Sequence, residues 1–281
     1  MAPEYLPDAV RAYYDEFGER EWERLERRPM DRVNLELHRR LLARLVQAGD
    51  NVLEVGAGPG RFTIEMAEIG ASVTVVDISP RQLELNRERV AAAGREAAVV
   101  ARQVADVVDL SAFADAAFDI VTAFGGPLSY LFDRAGECLD QMLQKVCPGG
   151  VVAFSVMSRW GALRMALAEV LQYEQQGLDE LNRQVVETGD LTGEIAHVPG
   201  MSLPHECHLF TWSEVDALLR TRRCELVAAS ASNYLSVNLG QLLEALEGSL
   251  WERVLEWEEK ACRSPGALDA GTHILVAVRK T

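Results

Sequence analysis

A doubly wound α/β sheet is the fold that three features of this chain point to. The first is the stretch Asn51–Thr63, where a short apolar run, Val52 to Val55, meets glycines at 56, 58 and 60 and then a helical pattern from Arg61 to about Ile69. The second is the repetition of that plan, with apolar runs of strand length alternating with amphipathic stretches through residue 156. The third is Asp77, an acid at the end of the second apolar run, Ser72 to Val76. Strand, tight glycine turn and helix open a nucleotide-type βαβ unit, because a side chain in such a turn keeps a ligand off the backbone.

Bulk properties narrow the function classes. The 281 residues fit one large α/β domain or two small ones, and 48% hydrophobic content is ordinary for a chain with a proper core. A formal net charge of -15 repels phosphate backbones, so no nucleic-acid partner is expected. The arginines at 20, 24, 27, 28 and 32 alternate with glutamates at 19, 21, 23 and 26, which reads as a salt-bridged, solvated helix face. Met-Ala-Pro-Glu-Tyr lacks the marks of a secretory signal, and no run approaches the ~18 apolar residues of a membrane span. Five scattered cysteines without a C-x-x-C pair read as reduced thiols, so a cytoplasmic location is expected, with no membrane partner.

Residues before the first strand are helical in pattern, with one helix through Val10–Phe17 and another from about Arg32 to Val46. In the second, Val33, Leu37, Leu41, Leu42 and Leu45 recur at helical spacing. After the glycine turn, Asp77 stands seventeen residues beyond Gly60, where a carboxylate can accept both hydroxyls of a ribose. Ser79, followed by Pro80, caps the next helix, which ends at Gly94. The third strand is read over Ala98–Val104 and the fourth over Phe118–Ala123. The fourth runs into Phe124-Gly125-Gly126-Pro127-Leu128-Ser129-Tyr130, a loop beside the topological switch point where such sheets bind ligands. A helix over Arg134–Val146 leads through Pro148-Gly149-Gly150 into the fifth strand, Val151–Val156.

Glu54-Val55-Gly56-Ala57-Gly58-Pro59-Gly60 resembles motif I of the class I S-adenosylmethionine (SAM)-dependent methyltransferases, an acid, any residue, then G-x-G-x-G. A nicotinamide or flavin site would want G-x-G-x-x-G, and position 61 is Arg. Asp77 and Pro-Gly-Gly follow motif I in the family's order over residues 48–156. The resemblance implies a Rossmann-like seven-stranded sheet of order 3-2-1-4-5-7-6, its last strand antiparallel, with SAM as cofactor and S-adenosylhomocysteine as product. It places Glu54, Gly56, Ala57, Gly58, Gly60, Asp77, Ile78 and Phe124 around the cofactor. It gives the third strand's acid the adenine amine, with Asp106 and the Val107 backbone favoured and Asp109 the competitor. It lets Tyr14, in Tyr13-Tyr14-Asp15, fold over the cofactor, although an aromatic pair can simply anchor a helix. Gly125, Tyr130 and Tyr13 would face the acceptor.

Beyond the fifth strand a stretch over 157–210 exceeds what a compact member carries. An apolar stripe makes Trp160–Val186 helical, and the whole insertion, together with the helical lid of residues 1–46, is expected to cap the cleft of a single domain. His205-Glu206-Cys207-His208 ends the cap. Its spacing fits no common zinc site, so no metal is expected, and Cys147 is not expected to be a nucleophile. His205 and His208 are candidates for a base or orienter, with Tyr234 a further possible orienter. A helix over Glu214–Arg220, a sixth strand over Cys224–Ala231, one long helix over Leu239–Cys262 and a last strand over His273–Arg279 complete the chain. The expected activity is metal-independent methyl transfer to an O or N atom of a small-molecule acceptor by a monomer or homodimer. A SAM-binding sensor, or transfer to a macromolecule, is the alternative.

Overall fold

A computed structural model describes residues 3–175, 179–192 and 206–281. Five parallel strands form most of one sheet: β1 (Asn51–Val55), β2 (Ser72–Asp77), β3 (Val99–Val104), β4 (Phe118–Ala123) and β5 (Val146–Met157). A two-residue ribbon, β6 (Asp190–Leu191) with β7 (Cys207–His208), stands apart. β8 (Cys224–Ala231) and β9 (His273–Lys280) finish the main sheet, whose order is β3-β2-β1-β4-β5-β9-β8. Since β9 is antiparallel to both neighbours, this is the expected 3-2-1-4-5-7-6 arrangement, with the chain's last strand reversed.

The central strands are apolar on both faces because helices cover both. One face packs Leu53, Val55, Val121 and Phe154 against α6 (Ala135–Lys145). The other packs Val52, Val73, Val75 and Ile120 against α3 (Pro29–Leu45) and α4 (Arg61–Ile69). α1 (Pro7–Phe17) and α2 (Arg20–Arg24) precede α3, and α5 (Pro80–Ala92) follows β2 with Ser79 as its N-cap. α1 and α3 begin three residues earlier than their apolar patterns, because Pro7 and Pro29 supply the pre-set φ of a first helical turn.

Larger departures from the sequence reading occur after the fourth strand. Pro148-Gly149-Gly150 lies inside β5 as a bulge, where the register passes from Phe118 opposite Val146 to Ile120 opposite Val151. The described residues of the insertion form three helices, Arg159–Met165, Leu167–Gln175 and Asp179–Thr188. The single helix expected over Leu239–Cys262 is two, Gln241–Glu244 and Gly248–Cys262. Gly248, at φ 55, interrupts the helical path while the apolar stripe continues. Among the described residues no helix is long and apolar enough to cross a membrane.

Candidate cofactor cleft

The cleft opens at the carboxyl ends of β1, β2 and β4, and the glycine turn is its floor. Gly56 has φ 65, and a Cβ there would lie 2.6 Å from Cγ of Pro127. The turn therefore reaches the loop after β4 only without a side chain. A Cβ on Gly60, at φ 94, would meet Asn86 Nδ2 at 3.0 Å, so α5 also comes close. The Ala57 amide donates to the Val76 carbonyl at 3.1 Å and fixes the turn on β2.

Two buried carboxylates sit in this floor. Asp77 lines the cleft, and its Oδ2 accepts the Gly58 amide at 2.8 Å while Oδ1 accepts the Ser79 amide at 2.9 Å. Burial pushes its pKa up to about 6, and the two amides pull against that rise. Glu54 lies beneath the turn and does not line the cleft. It accepts the Thr63 hydroxyl, Thr63 in turn accepts Asn86 Nδ2 at 2.9 Å, and Asn86 Oδ1 accepts Arg102 Nε at 2.8 Å. Burial pushes Glu54 up to about 8.

Of the expected residues, Tyr14, Gly56, Gly58, Asp77, Ile78, Val107, Phe124, Gly125 and Tyr130 share one cleft wall or another. Ala57 and Gly60 belong to the turn beneath, together with Glu54. Asp106 is half-buried and not in the lining; its Oδ1 accepts the Val108 amide at 3.1 Å and the hydroxyl of the lining residue Tyr5 at 2.9 Å. Its competitor Asp109 is exposed and accepts the Ser111 amide at 3.1 Å. Tyr13 is not in the lining; it stacks on Phe17, ring centroids 5.3 Å apart, and meets Tyr14 edge-on at 5.2 Å. The Tyr14 and Tyr130 hydroxyls hydrogen-bond to each other.

The N-terminal segment covers this floor. Asp15 Oδ1 accepts the Ser79 hydroxyl at 2.5 Å, and Gln82 Nε2 donates to the carbonyls of Tyr14 and Gly18 at 3.0 and 3.2 Å. Gly18, at φ 51, ends α1 and turns the chain into α2. The arginine-glutamate run is therefore only partly a solvated face, which corrects the sequence reading. Glu21 lines the cleft and holds Arg24 through two hydrogen bonds of 2.8 and 2.6 Å. Arg24 Nη2 lies 3.7 Å from where a Cβ on Gly125 would stand. Farther out, the Arg61 guanidinium lies 3.7 Å above the Trp22 ring and pairs with Glu26 at 2.7 Å.

Among the described residues, the histidine that packs on the cleft wall is not one of the pair that stands out in the sequence. His205 lies outside the described residues. His208 lines a separate pocket with Asp190, Phe210 and Glu214. Its Nδ1 is 2.6 Å from Asp190, and its Nε2 is 3.6 Å from Glu214. Burial lowers its pKa, but Glu214 and Asp190 outweigh that and the net shift is upward. Among the described residues no three His, Cys, Asp or Glu side chains come together as a metal-ligand set. His38 of α3, in contrast, packs edge-on against Phe124 of the cleft wall, centroids 5.2 Å apart, and stacks on Phe62 at 5.4 Å. Tyr5, Glu21, Arg24 and His38 were all missed in the sequence. Only His38 carried a signal, as a polar residue three positions from both Leu35 and Leu41 on an otherwise apolar stripe.

Residues 52–150 match the family model described as a methyltransferase domain. The ubiquinone biosynthesis O-methyltransferase of Thiobacillus denitrificans is 29% identical over 227 residues, covering 75% of this chain and 95% of that protein. The ribosomal RNA small subunit methyltransferase A of Corynebacterium jeikeium is 40% identical over 88 residues, and the match spans 30% of this chain and only 28% of that protein. Phosphoethanolamine N-methyltransferase 1 of Haemonchus contortus, solved with phosphoethanolamine and S-adenosylhomocysteine, superposes with a TM-score of 0.60 at 17% identity, covering 98% of this chain and 49% of that one. At that identity the likeness is one of fold.

Proposed function

We propose that this chain, a class I SAM-dependent methyltransferase domain over residues 52–150, transfers a methyl group to a hydroxyl or amine of a small molecule. The carrying observation is Asp77, a buried carboxylate on the wall of the glycine-turn cleft, with each oxygen fixed by a backbone amide. Each oxygen keeps a lone pair for a ribose hydroxyl. The donor set around it suits the rest of the cofactor. Val107 in the cleft lining and Asp106 beside it support an adenine at that end, and Gly56 and Gly58 leave room for close backbone approach. The Glu21 carboxylate and Arg24 guanidinium match the ammonium and carboxylate of an amino-acid end. Tyr14 and Phe124 supply flat walls.

Bound SAM supplies an electrophilic methyl group on a sulfonium sulfur. The chain's own contribution is alignment and exclusion of water, because a dispersing charge is helped by a dry, enclosed site. Tyr5, Tyr14 and Glu21 of the cover face the floor across the cleft and serve that purpose. The lid of residues 1–46 and the insertion at 157–210 belong to this one domain and select the acceptor. A small acceptor agrees with the net charge of -15 and with the O-methyltransferase relative matched over nearly its full length.

Titration calorimetry tests the reading. S-adenosylhomocysteine is expected to bind in the micromolar range and NAD not at all. Asp77→Ala removes two charge-assisted hydrogen bonds, so affinity is expected to fall roughly 100-fold or more. Retention of affinity in that variant would remove the ribose assignment.

A further inference from the structure

We propose that His38 and Asn34 of α3 are the hydrogen-bond-accepting seat for the acceptor molecule, and that this molecule is a small hydroxyaromatic. The proposal rests on the methyltransferase reading above and names the acceptor class of the same site.

Two polar groups on α3 lack partners. His38 is 3% exposed, and its Nε2 has no hydrogen-bond partner. Its Nδ1 lies 2.8 Å from the Asn34 carbonyl oxygen. A carbonyl can only accept, so Nδ1 carries the proton and Nε2 presents a bare lone pair. One turn earlier on the same face, Asn34 uses its Nδ2 on Thr272 Oγ1 at 3.3 Å and on His273 Nδ1 at 3.2 Å. Asn34 Oδ1 is then left without a donor. Two buried acceptors with no donor, one helical turn apart, are rare in folded chains and call for a ligand that donates.

Their position fits the acceptor. The Phe124 ring that meets His38 also lines the cofactor cleft. His273 pairs with Met157 across β9 and β5, and Met157 Cγ lies 3.4 Å from where a Cβ on Gly126 would stand. α3 and β9 thus bring polar groups up behind the loop Phe124–Gly126, beside the switch point of the sheet. The His38, Phe62 and Phe124 rings pack on one another, centroids 5.2 to 5.4 Å apart, and Phe124 carries that aromatic cluster into the cleft lining, where its ring suits a flat acceptor. Burial, and after it the nearby positive charge of Arg24, disfavours the charged form of both His38 and His273, and a buried charged ligand would meet the same penalty. A neutral O–H donor is therefore favoured over an ammonium.

Histidine-labelled protein loaded with S-adenosylhomocysteine is titrated with catechol and, separately, with 1,2-dimethoxybenzene, which has the same ring and no donor. Catechol is expected to shift the His38 Nε2 nitrogen resonance and to bind at least tenfold more tightly than the diether. His38→Phe is expected to erase that preference while S-adenosylhomocysteine affinity stays within twofold, and His38→Gln, which restores an acceptor, recovers part of it. An unmoved Nε2 resonance, or an intact preference in His38→Phe, overturns the seat. Failure of the unaltered protein to bind S-adenosylhomocysteine removes the methyltransferase reading instead, whatever His38 does.

Discussion

The floor and the cover of the cleft are built on different principles. The floor is fixed by main chain: β1 buries four of its five residues, and Gly56 and Gly60 hold left-handed conformations that strands and helices lock from below. The cover is fixed by a few side chains. Neither α1 nor α2 contains a buried residue; α1 is held by Asp15 to Ser79 and by Gln82 to the carbonyls of Tyr14 and Gly18, and α2 by Arg61 to the ring and carbonyl of Trp22. Segments with so few buried apolar contacts open at low free energy, whereas central strands open only with the whole domain. Both line the cleft, so on the function proposed above the floor supplies the fixed part of the cofactor's contacts and the cover the part that must open for access.

The largest expected effect comes from breaking the floor. Gly56→Ala places a Cβ 2.6 Å from Pro127 on a backbone at φ 65. Residues in such conformations carry strain of roughly 1–3 kcal/mol, and the turn can relieve it only by withdrawing from the β4 loop. S-adenosylhomocysteine affinity is expected to fall roughly 100-fold and Tm by several degrees. Affinity within twofold of the parent would show that the turn does not depend on its contact with Pro127.

An effect of intermediate size comes from the charge beneath the floor. Burial raises Glu54 from 4.5 to about 8, so the folded state holds this proton more tightly than the unfolded state. For such a group the stability is fully present below pH 4.5 and is lost as pH rises through about 8. Thermal melts are therefore expected to show lower Tm at pH 8.5 than at pH 6. Glu54→Gln stays neutral and still accepts the Thr63 hydroxyl, so its Tm should decline less over that window, by a difference on the order of 1–3 kcal/mol. Identical slopes for parent and variant would mean that Glu54 does not titrate there.

The same contrast explains which parts were legible in the sequence. The floor was readable because its requirements are local: glycines two apart at a strand end, an acid ending the next strand, a serine two residues later. The sheet order came with the family resemblance that those motifs carry. For the cover, the family resemblance implied a helical lid carrying Tyr14, but the contacts that hold it were not readable, because its partners are remote. Tyr5 meets Asp106 across 101 positions and Asp15 meets Ser79 across 64. Glu21 and Arg24 belong to a run whose alternating charge is equally what a solvated helix shows. The histidines illustrate the difference most directly. His205 and His208 drew attention by crowding in sequence, yet His208 is engaged by Asp190 and Glu214 in another pocket. His38 stands alone in sequence, and only packing shows that it adjoins Phe124 and leaves a nitrogen unpartnered.

The smallest expected effect isolates the cover from the floor. Gln82 sits at the start of α5, is fully buried, and donates from one nitrogen to the Tyr14 and Gly18 carbonyls. Gln82→Ala removes both clamps and touches neither Asp77 nor the glycine turn. A lost hydrogen bond between neutral groups is worth about 1 kcal/mol net, so S-adenosylhomocysteine should dissociate roughly 3- to 10-fold faster. The change belongs in the dissociation rate, where most affinity differences between related complexes reside. Because α1 buries no residue, Tm should move by no more than about 2 °C. Stopped-flow release and a thermal melt on the same sample separate the two quantities. An unchanged release rate, or a Tm loss as large as that of Gly56→Ala, would mean that cover and floor open as one unit and that access is governed by the stability of the whole sheet.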